Sequence, residues 1–155
     1  MIRAGGFTPL STADYPGCLS AVVFCRGCPW RCGYCHNPHL LDPDFRGGPN
    51  WDEILEFLER RKGLLDAVVF SGGEPTLQKR LAGALKEVRE MGFRTGLHTS
   101  GAFPECLEAV FPYLDWVGMD VKAPFEDYEA ITHAKGSGEK ARRSVELILE
   151  SNVEC

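Results

Sequence analysis

At 155 residues, with 44% apolar and 25% charged side chains, the chain can bury one core and is neither fibrous nor disordered in composition. A formal charge of −5 argues against a broad electrostatic grip on nucleic acid. No apolar run reaches the roughly 18 residues of a membrane-spanning helix, and Met1–Gly6 lacks a signal peptide's apolar stretch, so no membrane and a cytoplasmic address are expected.

Taken in chain order, residues 1–18 read as an extension, and Leu19–Phe24 is the first short apolar run, bounded like a buried strand. A dense group of cysteines follows. Residues 37–49 hold three prolines and two glycines and read as a long loop. Trp51, Ile54, Leu55 and Leu58 recur at helical spacing, with Asn50 and Glu53 placed as a capping pair. Ala67–Phe70 is a second strand and ends in Ser71-Gly72-Gly73-Glu74-Pro75. Leu81, Leu85 and Val88 form another helical stripe, stopped by Gly92. Phe93–Leu97 is a third strand, leading into His98-Thr99-Ser100-Gly101. A short helix is expected from Pro104 towards Phe111. Trp116–Met119 is a fourth strand, ending in Asp120-Val121-Lys122. Ala141, Val145, Ile148 and Leu149 mark a last helix after Gly136-Ser137-Gly138.

Strand and helix alternating at this repeat length imply an α/β fold with a parallel sheet and right-handed crossovers. A β/α unit takes roughly 30 residues, so the chain is too short for a closed eight-fold barrel. A partial, open β/α barrel or a doubly wound open sheet remains. The expected organisation is one domain over residues 1–155, with the extension at 1–18 and the partial barrel at 19–155. Sites in such architectures form at the carboxyl ends of the strands, and every unusual motif here falls there.

Five of the seven cysteines lie between Cys18 and Cys35. Their crowding and odd number favour metal or redox chemistry over disulfides. Cys28, Cys32 and Cys35 have the spacing C-x3-C-x2-C, which can wrap three corners of an iron–sulfur cubane and leave the fourth iron open for substrate. Including Cys25 gives four ligands, which would suit a closed cluster or a zinc ion. A non-catalytic iron–sulfur or zinc module is therefore a competing reading.

The cysteine motif, with Tyr34 just before its last member, resembles the radical S-adenosylmethionine (SAM) superfamily signature, and Gly72-Gly73-Glu74-Pro75 resembles that superfamily's second motif. Asp14-Tyr15-Pro16-Gly17, Cys35-His36-Asn37-Pro38 and Met119–Pro124 are similar to segments of the activating enzymes of glycyl radical enzymes, those for anaerobic ribonucleoside-triphosphate reductase above all. The resemblance implies a partial radical SAM barrel and a [4Fe–4S] cluster on Cys28, Cys32 and Cys35. It implies SAM bound near Tyr34, Gly72, Gly73, Glu74, Thr99, Ser100, Asp120 and Lys122, with a monovalent cation at the Asp120 rim. The reaction implied is reductive cleavage of SAM to a 5′-deoxyadenosyl radical, which takes hydrogen from a glycine of the anaerobic ribonucleotide reductase. Flavodoxin or ferredoxin would supply the electron. A radical SAM enzyme acting on another protein or a small molecule is the alternative. His98 departs from the family pattern, in which an Asp is common, and His36 stands where a hydrogen bond could tune the cluster. The chain stops at Val153-Glu154-Cys155, where a further strand of the family's barrel is expected.

Overall fold

The computed structural model describes residues 1–155. Its sheet has five strands in sequential order: β1 (Ala4–Ser11), β2 (Ser20–Cys25), β3 (Ala67–Gly72), β4 (Arg94–Thr99) and β5 (Trp116–Met119). β2 to β5 are parallel, and β1 runs antiparallel to β2 through two register shifts. The sheet does not close, so the architecture is a partial, open β/α barrel. β1 lies within the span read as an extension. Its Gly5, Gly6 and Pro9 look like loop residues, but an edge strand tolerates Pro and uses Gly at bulges.

The helices are α1 (Trp51–Glu59), α2 (Leu81–Glu90), α3 (Pro104–Glu108), α4 (Tyr128–Thr132) and α5 (Ser137–Glu150). α1 starts at a full capping box: Glu53 N–H donates to Asn50 Oδ1 and Asn50 N–H to Glu53 Oε2, both at 2.9 Å. α2 ends at Gly92, whose φ of +97° suits a residue without Cβ. α4 went unread in the sequence because five residues carry no periodic stripe.

Strand alternation divides the sheet into two faces. Val23, Cys25, Val68, Phe70, Leu97 and Val117 point into the main core, against Ile54 and Leu58 of α1 and Leu85 and Val88 of α2. Each such fully buried side chain is worth about 1.5–3 kcal/mol of hydrophobic transfer, so this face carries most of the fold's stability. The opposite face holds Val22, Val69 and Trp116 and is covered by Tyr15, on the segment between β1 and β2. Gly96 makes room for that plug, since a Cβ there would stand 3.0 Å from the Tyr15 ring. Above Tyr15 the concave face is open, and the functional motifs gather there. At the far edge Val117 N–H donates to Glu154 O at 2.8 Å, so the final residues begin to pair with β5.

Candidate cofactor site

The loop after β2 is held by main-chain hydrogen bonds on two sides. Gly73 N–H donates to Cys25 O and Glu74 N–H to Gly27 O, each at 2.8 Å, while Gly27 N–H donates to Leu40 O at 2.7 Å. The Gly72-Gly73 turn and the short 3₁₀ turn Pro38–Leu41 thus grip residues 25–28 from either side. Gly72 has φ of +109°, and a Cβ there would lie 2.5 Å from Cys25 N and O, so only glycine permits this approach. Further along, Arg31 N–H donates to Thr132 O at 2.8 Å. Trp30 packs edge-on against Tyr128 with ring centres 5.8 Å apart. Tyr128 is fully buried, and its hydroxyl accepts from Lys122 N–H at 2.9 Å. α4 therefore ties the cysteine loop to the Asp120–Lys122 rim.

Cys28, Cys32 and Cys35 border one cavity of about 360 Å³, together with Asp14, Tyr34, His36, Ser71, Gly72, Gly73, His98, Ser100, Asp120 and Lys122. A second hollow of about 400 Å³ shares its middle wall and extends towards Thr99, Trp116 and Gly118. The two form a trough along the carboxyl ends of the strands. Among the expected site residues only Glu74 stands off both walls. Its carboxylate is buried and accepts five hydrogen bonds, from Thr76 N–H and Oγ1, Thr99 Oγ1, and Ser100 N–H and Oγ. Glu74 is thus a clamp joining the ends of β3 and β4 beneath the trough.

Cys25 ends β2 on the helix-packed face, with 0% of its surface exposed, and does not reach the trough. Burial, with a smaller push from Glu74, drives its thiol up to about 12. Burial likewise drives the Cys28 thiol up to about 11, against the pull of the Trp30 N–H. Burial raises Cys32 as well, opposed by the Lys122 charge. Such thiols stay protonated at neutral pH until a metal's charge displaces the proton. No three His, Cys, Asp or Glu side chains converge on a single point as one ion would require. Cys28, Cys32 and Cys35 line the trough and Cys25 faces the other side of the sheet, so three of these four cysteines are placed to hold a group there.

At the rim, Lys122 Nζ is 2.5 Å from Asp120 Oδ2, with the lysine side chain 11% exposed and the aspartate 68%. Burial pulls the ammonium down, but the hydrogen bond and charge of Asp120 outweigh it and the net shift is upward. The same ammonium lies 5.7 Å from the centre of the Tyr34 ring. Tyr34, Lys122 and Asp120 form one unit at the mouth. The sequence reading did not single out Asp14 or Ser71 as site residues, although both lie within its quoted motifs. Asp14 reaches His98 from the segment between β1 and β2, and Ser71 borders the same cavity from the end of β3.

This fold, with a glycine turn beside three cysteines at the carboxyl ends of parallel strands, defines a class, and the chain belongs to it: residues 22–155 match the radical SAM superfamily. The chain is 35% identical, over 94% of its length, to a Methanocaldococcus jannaschii protein named as a glycyl-radical enzyme activating enzyme, and covers 60% of that protein. It is 36% identical, over 85% of its length, to the pyruvate formate-lyase-activating enzyme of Clostridium pasteurianum, covering 58% of it. The chain thus spans about three fifths of these curated relatives. Among solved structures it resembles QueE from Escherichia coli, with a TM-score of 0.57 and 17% identity over 96% of this chain and 75% of that one. That likeness is one of fold. The superfamily implies a [4Fe–4S] cluster and SAM. No helix is long and apolar enough to cross a membrane.

Proposed function

We propose that residues 1–155 form one radical SAM domain of a glycyl-radical-enzyme activating enzyme. The observation that carries the reading is the trough wall itself, where Cys28, Cys32 and Cys35 face the Gly72-Gly73 turn while Cys25 faces the opposite side of the sheet. Reductive cleavage of SAM to methionine and a 5′-deoxyadenosyl radical, which takes hydrogen from a glycine of the partner, is the chemistry that a bound cluster supplies there. The chain's own residues hold and orient. Cys28, Cys32 and Cys35 serve as the three cluster ligands. Gly72 and Gly73 let the main chain approach the methionine end of SAM, with Thr99 and Ser100 fixed behind them by Glu74. Tyr34, Asp120 and Lys122 border the adenosyl end, and burial beside Trp30 keeps water from Cys28.

An anaerobic ribonucleotide reductase is the proposed partner, reduced flavodoxin or ferredoxin the proposed electron donor and the cytoplasm the proposed address. The similarity to a pyruvate formate-lyase-activating enzyme gives a second partner of the same kind, and anaerobic incubation with each, followed by electron paramagnetic resonance for a glycyl radical, separates the two. A monovalent cation at the rim would take Asp120 as its carboxylate and would require Lys122 to yield the 2.5 Å ion pair.

The reading is tested by 5′-deoxyadenosine release from SAM by anaerobically reconstituted, dithionite-reduced protein. Wild type and Cys25→Ala should form product and Cys32→Ala should form none. Loss of the cluster in Cys25→Ala would instead establish a four-cysteine site. A cluster-loaded wild type that forms no product would refute the reading.

A further inference from the structure

The turn between the first two cysteines of the motif is closed by its own arginine. Arg31 curls back over the loop, and Nη1 of its guanidinium donates to the main-chain oxygens of Cys28 at 2.6 Å and Trp30 at 3.0 Å. Its main-chain N–H donates the other way, to Thr132 O at 2.8 Å, which fixes the backbone from which the side chain reaches. The Trp30 N–H, meanwhile, is directed at the Cys28 sulfur. A cation is thus held against the carbonyl of one cysteine, on the residue directly before another, Cys32.

Two cations stand beside the cysteine wall, and they differ in what answers them. Lys122 acts on Cys32 from the rim, but its ammonium is paired with Asp120 at 2.5 Å. Arg31 directs its donors to carbonyl oxygens and takes part in no ion pair. In a chain of formal charge −5, that leaves a full positive charge beside the three thiols. A [4Fe–4S] core on three thiolates is already anionic, and the electron it accepts adds a further negative charge. Net charge near such a core is one of the quantities that set its potential.

We propose that Arg31 acts through the cluster as a positioning residue, its unanswered charge favouring the reduced form of a core held by Cys28, Cys32 and Cys35. The electron needed for SAM cleavage is then taken up at a less negative potential. The inference rests on the radical SAM reading of the trough. The charge acts without contact, and the hydrogen bonds to the loop carbonyls keep it in place, where a free surface arginine would wander. Because the side chain is exposed, water and salt screen it and the effect is modest.

The test is the reduction potential of anaerobically reconstituted, SAM-free protein, followed by electron paramagnetic resonance in a potentiometric titration at low ionic strength. Arg31→Gln keeps an N–H donor for the Cys28 carbonyl but loses the charge. Its one-electron reduction equilibrium should fall about threefold to tenfold, a shift of about 30–60 mV to more negative potential. Arg31→Lys keeps the charge and should stay close to wild type. Arg61, before β3 at the opposite end of the sheet, lies over the Phe57 ring, and Arg61→Gln removes an equal charge far from the cysteines. It should leave the potential unchanged. Iron content and far-ultraviolet circular dichroism should match wild type in all three variants. An Arg31→Gln protein at the wild-type potential, an Arg31→Lys protein as low as Arg31→Gln, or an equal shift in Arg61→Gln overturns the inference alone. So does an Arg31→Gln protein that folds but takes up no iron, which would assign Arg31 to holding the turn. A wild type in which no reducible cluster forms overturns the radical SAM reading, and this inference with it.

Discussion

Gly72 shows how much one residue can decide. Its positive φ and the 2.5 Å separation between a would-be Cβ and the Cys25 main chain leave two ways to accommodate a side chain, and both move the cysteine loop. Gly72→Ala should therefore destabilise the fold by more than about 2 kcal/mol, combining backbone strain with the clash. Gly33, inside the cysteine motif but with nothing within 4 Å of its Cβ position, is the control. Gly33→Ala should leave the urea midpoint nearly unchanged, and equal losses in the two variants would contradict this account. At this scale the sequence was informative about which residues matter but less so about how. The cysteine spacing named Cys28, Cys32 and Cys35, and all three share the trough. Glu74 was read as lying near SAM, whereas its carboxylate is consumed by Thr76, Thr99 and Ser100. A motif shows that a carboxylate is present; only packing shows what it faces.

Among the elements, α4 has a role out of proportion to its five residues. Tyr128 packs on Trp30 between two of the cysteines and accepts a hydrogen bond from Lys122 N–H, so one side chain sets the spacing between the cysteine loop and the charged rim. Tyr128→Phe keeps the ring but leaves that N–H without its partner. We expect a loss of about 1–2 kcal/mol in stability and weaker SAM binding at unchanged iron content. The measurements are denaturant titration and binding by the reconstituted protein, and a variant with wild-type SAM affinity would show that the rim is held by other contacts. Long elements were legible because their patterns repeat. The Asn50–Glu53 capping box and the stripe of Trp51, Ile54 and Leu58 located α1 within a residue. β1 and α4 were not, the first because glycine and proline interrupt its alternation, the second because it is shorter than two helical turns.

For the molecule as a whole, the buried thiols make stability depend on alkaline pH. Cys25 is held up to about 12 and Cys28 up to about 11, against an ordinary value of 9.0. Above pH 9 the unfolded chain releases thiol protons that the folded chain keeps. Their contribution is complete below pH 9 and is lost as pH rises through the folded values, by up to about 1.4 kcal/mol per pH unit for each thiol. Urea titrations of the metal-free, reduced protein between pH 9 and 12 should show that decline, and Cys25→Ala should remove roughly half of it. An unaltered slope in that variant would mean that Cys25 is not buried as described. The parallel sheet was legible throughout, from apolar runs and the glycine and aspartate that bound them. The shape of the trough was not, because it depends on Tyr15 crossing the concave face from a segment with no regular structure.

The main-chain hydrogen bonds that lace the cysteine loop to the glycine turn have a thermodynamic consequence. They form between N–H and C=O groups of the protein alone, so they exist whether or not iron is present. A zinc finger acquires its fold when it acquires its metal; here the mould is set before the casting. The amide hydrogens of Gly27, Gly73 and Glu74 should exchange slowly with deuterium even in iron-free protein. Chelating the metal should then leave a folded, refillable shell rather than an unfolded chain.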